Sequence, residues 1–112
     1  DFELHAGDLS IIRKRKMIEN IEVSMDFCAK IIYVKSGFVE YVTLEQLWNE
    51  RTTGLFLNSV MHLSLEQQIV CRRDLELLEL CIKDTEHRFY REMLINAMQT
   101  AILDFFDFHA RI

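Results

Sequence analysis

The residues able to do chemistry are few and poorly placed for it. The chain has three cysteines, Cys28, Cys71 and Cys81, and four histidines, His5, His62, His87 and His109. No Cys-x-x-Cys and no His-x-x-x-His occurs, so zinc spacing is missing. Asp84-Thr85-Glu86-His87 is a single Asp-x-x-His. A carboxylate-bridged di-iron site needs two such motifs and two more inward carboxylates. With no second motif, Glu76, Glu79 and Asp104 do not complete one. His87 is expected on the first-turn surface of a helix and His62 as a satisfied core histidine, with His5 and His109 near the termini. The three glycines, at 7, 37 and 54, are spaced too widely for a phosphate loop or a dinucleotide fingerprint. No Gly-x-Ser-x-Gly presents a nucleophile. No catalytic, cofactor or metal site is therefore expected, and the chain is read as non-enzymatic. The cysteines fall in apolar helical patterns and read as small core hydrophobes.

Two other groups of side chains point to binding. Arg13, Lys14, Arg15 and Lys16 are consecutive. On a helix they would surround the axis, so that turn cannot lie wholly against a core. They suit a nuclear-localisation-type patch, a phosphate contact or an acidic partner, or else a solvated overhang paired with Glu19 and Glu22. Near the C-terminus, Phe105, Phe106 and Phe108 place three phenylalanines in four residues. That is more aromatic area than one helix edge normally buries. With Tyr90, Leu94 and Met98 they are the candidate partner-binding residues; the competing reading is a crowded core. Trp48, the single tryptophan, reads as core.

The elements that would position these residues read as helices. Ile11, Ile18, Met25 and Ile32 recur every seven residues, with Ile21 and Cys28 between them, which predicts a first helix over Leu9 to Lys35. Asp8 or Ser10 would cap it and Ser36-Gly37 would end it. At 1.5 Å per residue it would be roughly 40 Å long, so its basic end should overhang a domain of this size. Phe38 to Val42 reads as an extra helical turn or an extended linker. Thr43-Leu44-Glu45-Gln46 is a capping box opening a helix to Thr53, and Leu55 to Leu63 suggests a short third helix. Ser64-Leu65-Glu66-Gln67 is a second capping box, opening a fourth helix to about Lys83. Asp84 or Thr85 would cap a fifth, reaching about His109, with a stripe of Tyr90, Leu94, Ala97, Met98, Ala101, Phe105 and Phe108. The fold class this implies is all-α, a compact bundle or orthogonal array of four to five helices in one domain over 1–112, with 1–7 a flexible end.

Composition bounds the function. Half of the 112 residues are hydrophobic, too many for disorder. Mean hydropathy is +0.03, high for so small a domain, and surplus apolar surface usually belongs to an interface. The net charge of −5 disfavours nucleic acid as a partner. No apolar run reaches the length of a membrane span. An odd cysteine count argues for a reducing, intracellular compartment, cytoplasmic or nuclear. The chain begins with Asp1 and reads as a piece of a longer protein. The expected function is a protein-interaction domain that homodimerises or binds a partner helix within a larger assembly. The alternative is a nucleic-acid-binding accessory domain using residues 13–16.

Overall fold

The computed structural model describes residues 3–11, 24–35, 38–39, 42 and 60–111. Among these, the elements are β1 (Asp8–Ser10), β2 (Val60–His62), α1 (Leu65–Lys83) and α2 (Tyr90–Ala110). Among the described residues, two long helices and a two-stranded antiparallel ribbon stand where a bundle of four to five helices was expected. The basic run 13–16, Trp48 and the helix expected over 43–53 lie outside the described residues.

The long first helix is corrected at both ends, while residues 12–23, with Ile18 and Ile21 of its stripe, lie outside the described residues. Asp8–Ser10 is a strand, and residues 24–35 have no helical backbone. Met25, on the seven-residue stripe, is fully exposed, whereas Ile11 and Ile32 lie half-buried against the core. Local chemistry explains the failure. Ile31-Ile32-Tyr33-Val34 is a run of β-branched and aromatic side chains, which favour extended backbone. Ser24 Oγ donates to Asp26 Oδ1 at 2.7 Å, and the Phe27 amide donates to the Ser24 carbonyl, so a turn opens the segment. Hydrophobic period alone did not weigh these preferences. Phe38, Val39 and Val42 are helical, the first of the two conformations considered for that stretch.

The short third helix expected over Leu55 to Leu63 is corrected at its end, since Val60–His62 pairs with β1, while residues 55–59 lie outside the described residues. Asp8 lies opposite His62, Leu9 opposite Met61 and Ser10 opposite Val60. Alternation turns Leu9 and Met61 toward the core, where Met61 is 1% exposed. Two three-residue strands alone would be marginal, and burial of this pair anchors them. Gly7 leads into β1 at φ +88°, a backbone conformation open to glycine. A Cβ there would lie 2.6 Å from Gln68 Nε2, which donates to the Leu63 carbonyl at 3.0 Å. Gly7→Ala therefore strains the backbone and displaces that bond. We expect a loss of about 1–2 kcal/mol, from the left-handed backbone and one hydrogen bond, in urea unfolding.

α1 begins where its capping box predicts. The Gln67 amide donates to Ser64 Oγ at 3.2 Å, and the Ser64 amide donates to Gln67 Oε1 at 2.9 Å. α2 starts at Tyr90, later than the expected Asp84 or Thr85 cap. Asp84 instead closes α1, its amide donating to Leu80 O, and the chain then turns. Within that turn the Phe89 amide donates to His87 Nδ1 at 2.9 Å, and Tyr90 Oη donates back to Ile82 O at 3.1 Å. The two helices form a hairpin whose shared surface is the main core. Cys71, Leu78 and Cys81 enter it from α1; Ala97, Met98, Ala101, Ile102, Phe105, Phe106 and Phe108 enter it from α2. Gln99 Nε2 ties α2 to the Val42 carbonyl at 3.1 Å.

Candidate functional site

The expected partner-binding residues are mostly inside the chain. Met98, Phe105, Phe106 and Phe108 are each 4–9% exposed, while Tyr90 and Leu94 are half-buried. Phe105 and Phe108 pack with ring centroids 6.2 Å apart. Phe106, about 100° around the helix, is buried as well. α2 is therefore enclosed on more than one side, which the count of aromatics alone did not distinguish from an exposed anchor.

Among the described residues, open apolar side chains are shared between the 24–35 segment, with Met25, Phe27, Ile31 and Tyr33, and α1, the one regular element that carries a row of them. Its core positions Cys71, Asp74, Leu78 and Cys81 repeat at 3,4,3 spacing. On the opposite side, Leu65, Ile69, Arg72, Glu76 and Leu80 repeat at 4,3,4,4 and form a second continuous face. Leu65 is 78% exposed, and Ile69 and Leu80 are 67% exposed. One apolar stripe per helix, the usual pattern, does not include this face. The signal was present: Leu77 and Leu80 fall outside the core stripe of α1, although Arg72, Glu76, Glu79 and Lys83 share its outer side.

Charged groups edge the face. Glu79 accepts from Lys30 at 2.6 Å and from Lys83 at 3.0 Å. The two ammonium groups hold its carboxyl down at about 2, and the bond to Glu79 in turn raises Lys30. The Lys30 bond ties the 24–35 segment to α1, whereas Lys83 pairs with Glu79 within the helix.

Three polar groupings could be mistaken for reactive centres. On the ribbon, His62 Nδ1 lies 2.9 Å from Asp8 Oδ1, so His62 is an exposed, paired residue rather than a core histidine. Burial works to raise the Asp8 carboxyl, but the His5 amide and the His62 ring outweigh it and hold it below the usual range. Ser10 shares this ribbon face, yet its Oγ is buried without a hydrogen-bond partner, so no nucleophile–base relay forms. An open pocket beside β2 is lined by His62, Gln67, Phe108 and Arg111. Arg111 is already paired with Asp107 at 3.2 Å and His62 with Asp8, so neither converges on a ligand.

The third grouping is inside. Asp74 is 2% exposed on the α2-facing side of α1. Burial, then the neighbouring Asp104, raise its carboxyl to about 7, against the opposing pull of Arg73. Burial and the same two aspartates push the Cys71 thiol up to about 11, which leaves it protonated and inert. Among the described residues no group of histidine, cysteine and carboxylate side chains is arranged to hold a metal ion. Nor is any helix there long and apolar enough to cross a membrane.

Comparison of the chain with protein families, with characterised proteins and with solved structures finds no match.

Proposed function

We propose that this chain is a non-enzymatic protein-interaction domain that pairs with a second copy of itself through the outer face of α1. The observation that carries the reading is the exposed set Leu65, Ile69 and Leu80, with Arg72 and Glu76 between Ile69 and Leu80, on a well-formed helix whose other side is already in the core. Burying such a row removes apolar area from water at roughly 25 cal/mol per Å2. A patch of this kind on a small domain marks an interface.

Charge supports a second copy as the occupant. Two-fold pairing brings each patch against itself, so the patch must be self-complementary. Arg72 and Glu76 are spaced equally about residue 74, and Ile69 and Leu80 are spaced almost equally about the same point. An antiparallel α1–α1 pair centred there sets Arg72 against Glu76 of the other copy and Ile69 against Leu80. The same reading assigns the domain to the interior of the cell, cytoplasm or nucleus. Support comes from Cys71 and Cys81, which are buried without a disulfide partner and so suit a reducing compartment.

Sedimentation equilibrium over a concentration series tests the pairing. The wild type is expected to move from monomer to dimer with concentration. Ile69→Glu with Leu80→Glu is expected to stay monomeric with unchanged circular dichroism, because both sites face water in the single chain. Arg72→Glu and Glu76→Arg should each weaken the dimer, and the combined swap should restore it. A wild type that stays monomeric at every concentration, or a double variant that pairs as well as the wild type, overturns the proposal.

A further inference from the structure

We propose that Asp74 and Asp104 form a proton-operated latch between α1 and α2, closed when one proton is shared between the two carboxyls and loosened when both are charged. The inference is independent of self-association.

Its basis is geometric. The Asp74 side chain is 1% exposed and that of Asp104 30%. Oδ2 of Asp74 and Oδ2 of Asp104 are both buried, and neither receives a hydrogen bond from the protein. A buried carboxylate oxygen without a donor is costly. Among the described residues, the titratable or charged groups facing Asp74 are Asp104 from α2 and Arg73 and Cys71 from α1 itself. Arg73 Nη2 stands 3.6 Å from Asp74 Oδ1 and 3.6 Å from Asp104 Oδ2. That is ion-pair range but beyond a hydrogen bond, and the guanidinium is two-thirds exposed. Cys71 stays a neutral thiol. One partly hydrated cation is thus set against two potential charges. A proton on Asp74, donated as O–H to Asp104, removes one charge and supplies a donor between the two helices.

The sign follows from the elevation of Asp74. An unfolded aspartate ionises near 3.8, whereas the folded one holds its proton to about 7. Between those values the folded state binds more protons than the unfolded, so stability falls as pH rises. The contribution is fully present below 3.8 and is gone once pH has risen past 7. From pH 5.5 to 8.5, this one group is expected to lower the folding equilibrium constant by about 30-fold.

Urea unfolding of the full chain at pH 5.5 and 8.5 reads this directly. The wild-type folding constant is expected to drop about 30-fold across that interval. Asp74→Asn keeps the shape and a permanent donor, and should remove most of the drop. Arg73→Gln takes away the balancing cation and should hold Asp74 protonated to still higher pH. A carbon-13 carboxyl titration of the wild type adds a reading that needs no variant to fold: Asp74 should titrate near neutrality. A parallel drop in wild type and Asp74→Asn, or an Asp74 carboxyl that titrates below 5, overturns the latch.

Discussion

A chain carrying Phe105→Asp and Phe106→Asp should fail to fold. Both rings are 9% exposed and belong to the core shared by α1, α2 and β2. Truncating a buried phenylalanine to alanine alone costs about 3–5 kcal/mol. Aspartate adds a carboxylate with no partner in an apolar site, which costs more. Two such changes equal or exceed the whole stability of a domain this size, about 5–15 kcal/mol. The expected readout is loss of helical circular dichroism and collapse of amide dispersion at 25 °C, at every protein concentration. A folded, monomeric double variant would instead mean that this aromatic cluster is an exposed anchor, and that the core is assigned to the wrong side of α2.

The second large effect separates the two faces of one helix. Leu78 is 4% exposed and Leu80, two residues on, is 67% exposed. Leu78→Ala opens a cavity against α2 and should cost about 2–5 kcal/mol. Leu80→Ala in dilute solution, where the chain is monomeric, should stay within about 0.5 kcal/mol of wild type. The urea midpoints of the two variants should therefore diverge widely, and differ in concentration dependence. Leu80→Ala is expected to lose the stabilisation that dimerisation lends at high concentration, since anything that binds the folded state stabilises it by mass action. Equal costs for the two variants in dilute solution would show that Leu80 is covered within the single chain.

The legibility of this fold in its sequence follows the strength of local signals. α1 was readable to the residue because Ser64 and Gln67 form reciprocal bonds that require nothing beyond the first turn. α2 was readable in its body but not at its start. Asp84 and Thr85 resemble caps, yet Asp84 closes the preceding helix and α2 begins at Tyr90, after Phe89 as an N-cap with no side-chain hydrogen bond. The ribbon was not readable. Val60-Met61-His62 pairs with Asp8-Leu9-Ser10 across more than fifty residues, and a three-residue strand carries almost no periodic signal of its own. Ile11, Met25 and Ile32, separated by multiples of seven, imitated a helix, although Met25 meets solvent in a turn.

The sites divide in the same way. Metal-ligand spacings and nucleophile motifs are local patterns of the kind a sequence displays. The Asp74–Asp104 pair is not, because it joins two carboxylates thirty residues apart that only the α1–α2 packing brings together. The aromatic residues near the C-terminus were correctly singled out as unusual apolar area. Their burial depended on how much neighbouring structure α2 has, which no spacing within α2 encodes. The same ambiguity hid the outer row of α1, where Leu65, Ile69 and Leu80 stand among charged residues and look individually ordinary.

The central claim is that two copies meet through that row. Isotope-filtered NMR on an equimolar mixture of carbon-13-labelled and unlabelled chains tests it most directly, because it detects only contacts between molecules. The account predicts intermolecular contacts from the methyl groups of Leu65, Ile69 and Leu80, with Ile69 touching Leu80 of the other copy, and none from Leu78. Intermolecular contacts confined to other surfaces, or their absence at the highest soluble concentration, would contradict it.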